Sequence, residues 1–284
     1  MPDKDLRKSI HAYWPKPQGL RKLERDTILW YPGKQEIAGL FLKNRIPLPA
    51  RELALTGFRQ MEWITPKRAE TKTAVSYQKG NTVTPGELLF GHIDRGSIEQ
   101  TKVTLAQGVA FACIAPILLH MTNIFARALP KYFGQQNRPF SDDSKWAAYH
   151  KKDESRPEYG GIPTEVRAFL TAFSSVTLLR SCPASLHKDG GNARKDQTSF
   201  TALTSVGDGE FSGGAFSLIE YGLEIPVKPG DLLLAQTHRE WHLNLSPVKG
   251  VKYSMVAYFR RNLANPKMWE TKRKRAASQL PAAD

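Results

Sequence analysis

Two imidazoles and one carboxylate on a single face of a metal ion leave the opposite positions open for a cosubstrate and O2, which is the donor set of a mononuclear non-haem Fe(II) oxygenase. His187-Lys188-Asp189 supplies two of these donors within three residues. In an extended segment, side chains two apart point to the same side, so His187 and Asp189 converge while Lys188 faces away. The third donor must arrive from a distant strand. His242, 53 residues after Asp189, is the preferred donor. His238 is its rival, readable equally as an ordinary loop histidine or an outer partner of the site. An H-x-D triplet alone is a weak signal, so its weight depends on what surrounds it.

The elements that must position these donors read as short strands. Ser199–Val206, Ala215–Glu220, Leu223–Val227 and Asp231–Gln236 are separated by turn signals such as Gly213-Gly214 and Pro229-Gly230. Their spacing predicts an antiparallel barrel or jelly roll. Lys252 and Ser254 lie two apart in the final strand-like run and face one side of it. A cation and a hydroxyl there are suited to holding a carboxylate.

Phe173-Ser174-Ser175-Val176-Thr177, Cys182, His187-x-Asp189-x-x-Asn192, Phe211-Ser212-Gly213-Gly214 and the stretch from His242 to Arg260 cover about a third of the chain. Together they resemble the TET/JBP family of Fe(II)- and 2-oxoglutarate-dependent nucleic-acid base oxygenases. The resemblance implies an α+β fold with a double-stranded β-helix (jelly-roll) core flanked by helices. It implies that His187, Asp189 and His242 hold Fe(II), and that Lys252, assisted by Ser254, binds the far carboxylate of 2-oxoglutarate. Asn192 matches the position that hydrogen-bonds the polar edge of a flipped cytosine, and Tyr258 the aromatic on which that base stacks. Stacking on tyrosine contributes roughly 1–3 kcal/mol without choosing among bases. Asn192 would equally cap the turn after Gly190-Gly191, and Tyr258 would equally serve as an ordinary strand aromatic. TET enzymes usually carry arginine where this chain has Lys252, and a lysine offers a point charge rather than a planar fork. They often carry histidine at the base-reading position occupied here by Arg260. The cysteine-rich region of animal TET proteins has no counterpart, since Cys113 and Cys182 are the two cysteines.

A chain of 284 residues with 40% hydrophobic content supports one large domain. The expected organisation is residues 1–50 as an extension packed on the core, 51–265 as the dioxygenase domain and 266–284 as a basic tail. Two distant cysteines point to a reducing compartment. The formal charge of +14 favours a polyanionic partner. Met1–Lys22 lacks the apolar core of a secretory signal. Val109–Leu119 is short and interrupted by Pro116, so Leu105–Leu129 reads as a buried helix or helix pair within the strongest helical stretch, Leu105–Phe133, with Pro130 marking its end, and no membrane span is expected. Residues 134–162, with Trp146 and Tyr149, read as a mobile loop, and Thr164–Ala172 as a second helix. Thr27–Tyr31 reads as a strand and Ile37–Leu42 as a short helix or strand. The mixed aromatic and basic residues between Arg51 and Asn81 suit a DNA groove or a half-buried hairpin. Lys272-Arg273-Lys274-Arg275 reads equally as a nuclear import signal or a solvated charge cluster.

The expected activity is oxidation of the methyl group of 5-methylcytosine by a nuclear, monomeric enzyme acting on methylated duplex DNA with a flipped base. Alternatives within the same chemistry are thymine, N6-methyladenine or a protein side chain, with Asn192 and Arg260 as the discriminating positions. A nucleic-acid-binding module without turnover, and ascorbate in place of 2-oxoglutarate, are the remaining alternatives.

Overall fold

Runs of β-branched and small residues, broken by glycine and proline, build a fold made mostly of short strands. The computed structural model describes residues 19–64, 86–94, 98–100, 106–141, 172–189, 199–245 and 247–259. In chain order the elements are β1 (Arg21–Lys22), β2 (Thr27–Trp30), β3 (Ile37–Leu42), α1 (Leu48–Gln60), β4 (Gly86–Asp94), β5 (Ile98–Gln100), α2 (Gly108–Ala128) and α3 (Pro130–Ser141). They continue as β6 (Ser175–Arg180), β7 (Ala184–His187), β8 (Thr201–Gly213), β9 (Phe216–Leu218), a 3-10 turn (Ile219–Tyr221), β10 (Leu223–Ile225), β11 (Leu232–Ala235), β12 (His242–Asn244) and β13 (Pro247–Tyr258).

The strands form a smaller sheet, β1-β10-β9-β12-β7, and a larger one, β2-β3-β11-β8-β13-β6-β4-β5. From β6 onward the chain passes back and forth between them, with β6, β8, β11 and β13 in the larger sheet and β7, β9, β10 and β12 in the smaller. That alternation is a double-stranded β-helix, and with its flanking helices the fold is an α+β jelly roll. The strands Thr27–Trp30 and Ile37–Leu42 are part of the larger sheet, where β3 pairs with β11, and helix α1 runs across position 50.

Two cores divide the larger sheet's faces. On one side α1 and α2 pack against it, with Ala54, Phe58, Phe111, Ile114, Leu118 and Phe125 meeting Val176, Leu178, Ala202, Leu234 and Met255. On the other, Phe41, Leu203 and Leu233 meet Phe216, Leu218, Leu223 and Ile225 of the smaller sheet. Strand β13 shows the division residue by residue. Tyr253, Met255 and Ala257 join the helix-side core, whereas Val256 packs on the inter-sheet core. Period-two alternation therefore turns Lys252 and Ser254 toward the space between the sheets.

Helix α1 has proline in its first turn, where a missing N–H costs little. It crosses α2 at Gly57, where an added Cβ would lie 2.7 Å from the Ala110 carbonyl oxygen and 2.8 Å from the Cys113 Cβ. Helix α2 continues through Pro116 for 21 residues, inside the stretch its sequence suggested. By length and composition it could cross a membrane, yet half of its most apolar window is buried inside the protein, where it supplies the helix-side core.

As its sequence suggested, that helix stops beside Pro130. The break falls at Leu129, and Pro130 opens α3, because proline's fixed φ suits the first position of a helix. Residues 134–141, expected to be loop, are therefore helical, while 142–162 and all but the end of Thr164–Ala172 lie outside the described residues. The aromatic and basic segment after Arg51 is likewise not a surface groove where it is described. Phe58 is fully buried, and Phe58, Trp63 and Tyr253 stack on one another with centroids 5.0–5.9 Å apart. Residues 65–81 lie outside the described residues.

Gln136 of α3 ties together two segments that lead into β6 and β8. Its buried amide nitrogen donates to the carbonyl oxygens of Ala172 (2.7 Å) and Phe200 (3.1 Å), and its oxygen accepts the Phe200 N–H at 2.8 Å. Gln136→Leu leaves these groups without their partner and is expected to cost about 3 kcal/mol, read as a lowered urea midpoint with an unchanged slope.

Candidate active site

His187 is the last residue of β7 and His242 the first of β12, and the two are direct register partners across the smaller sheet. Asp189 lies just beyond β7, its N–H held at 3.0 Å by the Thr237 carbonyl. The extended backbone puts His187 and Asp189 on one side and Lys188 on the other, where Lys188 reaches Glu220 at 3.6 Å and lies over the Trp241 ring.

The Asp189 Oδ1 is 3.4 Å from the His187 Nε2 and 3.9 Å from the His242 Nε2, and one donor atom from each of the three residues falls within 4.8 Å of the others. Among the described residues this is the one such group of histidine, cysteine and carboxylate side chains, and His238 is not part of it. Donor atoms at neighbouring positions around a metal with bonds of about 2.1 Å stand roughly 3 Å apart, so a small contraction seats an ion. Donor chemistry also fits, since two imidazoles and a carboxylate with open positions suit Fe(II).

Electrostatics prepares the donors. Burial pushes the His242 imidazole down to about 4, helped by its neighbour His187 and opposed by the Asp189 charge, so it is neutral at pH 7. Its Nδ1 lies 3.0 Å from the Glu240 carbonyl oxygen, which makes Nδ1 the protonated nitrogen and leaves the Nε2 lone pair facing Asp189. Burial by itself would raise the Asp189 carboxyl, but hydrogen bonds from His187 and Thr237 and the nearby imidazoles hold it at about 2. Phe216 stacks on His242 at 5.2 Å and closes one face of that ring.

Lys252 is buried, and its ammonium donates to the Gly214 carbonyl oxygen at 2.6 Å with the Phe211 ring 5.6 Å away. Burial lowers the lysine to about 8, and Asp231 opposes that shift. Gly214, at φ +66°, sits where the chain leaves β8 for β9, and a Cβ there would come within 3.0 Å of the lysine Cδ. Ser254, also buried, is the next residue on the same side of β13.

No protein-family model matches the chain. Over 245 residues it is 22% identical to the thymine dioxygenase JBP1 of Leishmania tarentolae, covering 82% of this chain and 26% of that protein. It is 21% identical over 264 residues to thymine dioxygenase JBP1 of Crithidia fasciculata, covering 89% and 28%. The chain is TET/JBP-like. It spans about a quarter of the length of these curated relatives. A solved structure of NgTET1 in complex with 5mC DNA aligns over 81% of this chain and 74% of that one, at 14% identity and a TM-score of 0.45, a likeness too distant to bear on chemistry.

In this TET/JBP-like chain Tyr258 ends β13, half-buried, with its hydroxyl 3.2 Å from the Thr177 Oγ1. Asn192 and Arg260 lie outside the described residues, as does the basic run at 272–275. Three neighbours of the site carried no local sequence signal. Thr237 holds Asp189, Arg239 pairs with Glu36 and lies 4.2 Å over the Tyr31 ring, and Glu240 is buried beside Glu220. Burial, then Glu220, pushes the Glu240 carboxyl up to about 7. Arg239 and Glu36 thereby fasten the turn before His242 to the β2–β3 hairpin.

Proposed function

We propose that the chain is an Fe(II)- and 2-oxoglutarate-dependent dioxygenase that hydroxylates the C5 methyl group of a pyrimidine in DNA, with 5-methylcytosine as its substrate. What supports the metal reading is the convergence of His187, Asp189 and His242 on one point, with a buried cation on the facing side of the same jelly roll. A second reading, thymine, is favoured by the sequence relatives, which are named thymine dioxygenases. Both bases present the same methyl group, and they differ at the polar edge that Asn192 and Arg260 would read.

Bound Fe(II) would supply, with 2-oxoglutarate and O2 as co-reactants, the oxidation that turns a methyl C–H into C–OH while releasing succinate and CO2. The protein's part is to position and to exclude. His187, Asp189 and His242 would hold the ion from one side. Lys252, with Ser254 beside it, would pair with the distal carboxylate of 2-oxoglutarate. Tyr258, its hydroxyl kept in place by Thr177, would stack on the flipped base, and Asn192 would bond its edge. Phe216 keeps water from one face of His242. The net charge of +14 favours phosphate contacts, which hold the strand in register while the base is out of the stack. The proposed place of action is the nucleus.

The test is anaerobic loading with Fe(II) and 2-oxoglutarate, then O2 and duplex DNA containing either 5-methylcytosine or thymine alone, read by nucleoside mass spectrometry beside His187→Ala. The expected result is a hydroxymethyl nucleoside that the variant does not form. Product from the thymine duplex only would replace the first reading by the second. Succinate released without any changed nucleoside would sink both.

A further inference from the structure

We infer that Thr237 and Thr201 form a two-hydroxyl relay that orients the Asp189 carboxylate for metal binding, making both of them positioning residues. The inference rests on the metal reading of the His187, Asp189 and His242 group.

Asp189 lies beyond the last hydrogen-bonded residue of β7, so the sheet ladder does not fix it. Two contacts from a single residue replace that ladder. The Thr237 carbonyl oxygen accepts the Asp189 N–H at 3.0 Å, and the Thr237 hydroxyl bonds the Asp189 side chain. The first contact sets the backbone and the second sets the plane of the carboxylate. Thr237 is in turn held by Thr201, whose hydroxyl oxygen is 2.6 Å away, and both side chains are buried.

Proton counting gives the pair one direction. A carboxylate that binds a cation is ionised and can only accept, so the Thr237 hydroxyl must donate to Asp189. Its own oxygen is then the acceptor for the Thr201 hydroxyl. Thr201 opens β8 and stands in register with Ala235, the last residue of β11. The chain leaves β11 through Gln236, whose N–H donates to the Ala38 carbonyl and whose side chain donates to the Ile37 carbonyl. Thr237 follows at once, so the donor that aims Asp189 is mounted on the larger sheet, while His187 and His242 belong to the smaller one. The relay thus sets the carboxylate from the opposite sheet.

The experiment titrates the metal-free full chain with Co(II) alone and records affinity and the d–d absorption spectrum. The variants are Thr237→Val, Thr237→Ser, the pair Thr201→Val with Thr237→Val, and Asp189→Asn as reference. Thr237→Val is expected to weaken Co(II) binding about 10–100-fold and to shift the spectrum, the size typical of lost outer partners of metal ligands. Thr237→Ser keeps the hydroxyl and is expected to restore both. The double variant removes both hydroxyls together, which leaves neither unpaired and is nearly neutral for folding, yet it should bind Co(II) as weakly as Thr237→Val. A double variant with wild-type affinity and spectrum would overturn the relay. If the wild-type chain takes up no more Co(II) than Asp189→Asn, the metal reading fails, and the relay with it.

Discussion

Asp189→Asn should abolish Fe(II) binding at working concentrations, with base oxidation falling to background. The amide matches the carboxylate in shape and still offers an oxygen, so any loss comes from charge rather than from packing. Asp189 is the one anionic donor of the three, and an ionised ligand is what a hard divalent cation selects. Outer partners of a metal site carry about 10–100-fold in affinity. Loss of this donor should exceed 100-fold, which is about 2.8 kcal/mol. Protonation of His242 does not explain such a loss. The Asp189 charge raises the His242 imidazole, so removing it pushes that group further below its value of about 4 and leaves the Nε2 lone pair free at pH 7. The stability of the metal-free chain should also change with acid. Because the Asp189 carboxyl is held at about 2, below its unfolded value of 3.8, its contribution is present above about pH 4 and is lost as pH falls toward 2. Asp189→Asn therefore removes that acid-dependent component, visible as a flatter stability profile between pH 4 and 2. An unchanged Fe(II) titration in this variant would remove His187, Asp189 and His242 as the metal site.

What could be read before the fold was known were features with a local period. Period-two alternation placed His187 with Asp189 and Lys252 with Ser254, and both pairs fall in β-structure or directly beside it. The short strands of the jelly roll were legible for the same reason, together with the Gly213-Gly214 break at which the chain changes sheets. Long-range contacts were not. Thr201 meets Thr237 across 36 positions and Arg239 meets Glu36 across 203, and neither pairing leaves a pattern in either segment. Proline at position 130 marked the end of α2, but that it also opens α3 was not legible, because the same residue can stop one helix and start another. At Pro116 the helix persists because its apolar neighbours, Ile114, Ile117 and Leu118, are all fully buried. Burial, which sequence gives only on average, also decides for Phe58 between the readings left open to it, a DNA groove or a packed position, by placing it in the core.

Lys252→Met is expected to raise the KM for 2-oxoglutarate about 10²–10³-fold while leaving Fe(II) affinity near wild type. A buried charge pair broken by removing one partner costs about 2–5 kcal/mol, and the distal carboxylate would face a thioether instead of an ammonium. The lysine also gives binding a pH signature. Burial holds its free value at about 8, and an incoming carboxylate favours the charged form and moves it upward. Affinity for 2-oxoglutarate should then be flat below about pH 8 and fall by about tenfold per pH unit above it, until the raised value of the complex is reached. Lys252→Arg separates charge from geometry. Arginine stays protonated throughout that range, so its profile should lose the alkaline limb. Its plateau should nevertheless be weaker, because Gly214 stands close against the lysine stem and a planar guanidinium has little room there. Gly214 would thus be part of such an anchor: its carbonyl takes one ammonium proton and its missing side chain admits the stem, leaving two protons for a carboxylate. A Lys252→Met enzyme with wild-type KM, or a Lys252→Arg enzyme that keeps the alkaline limb, would mean that 2-oxoglutarate is held elsewhere.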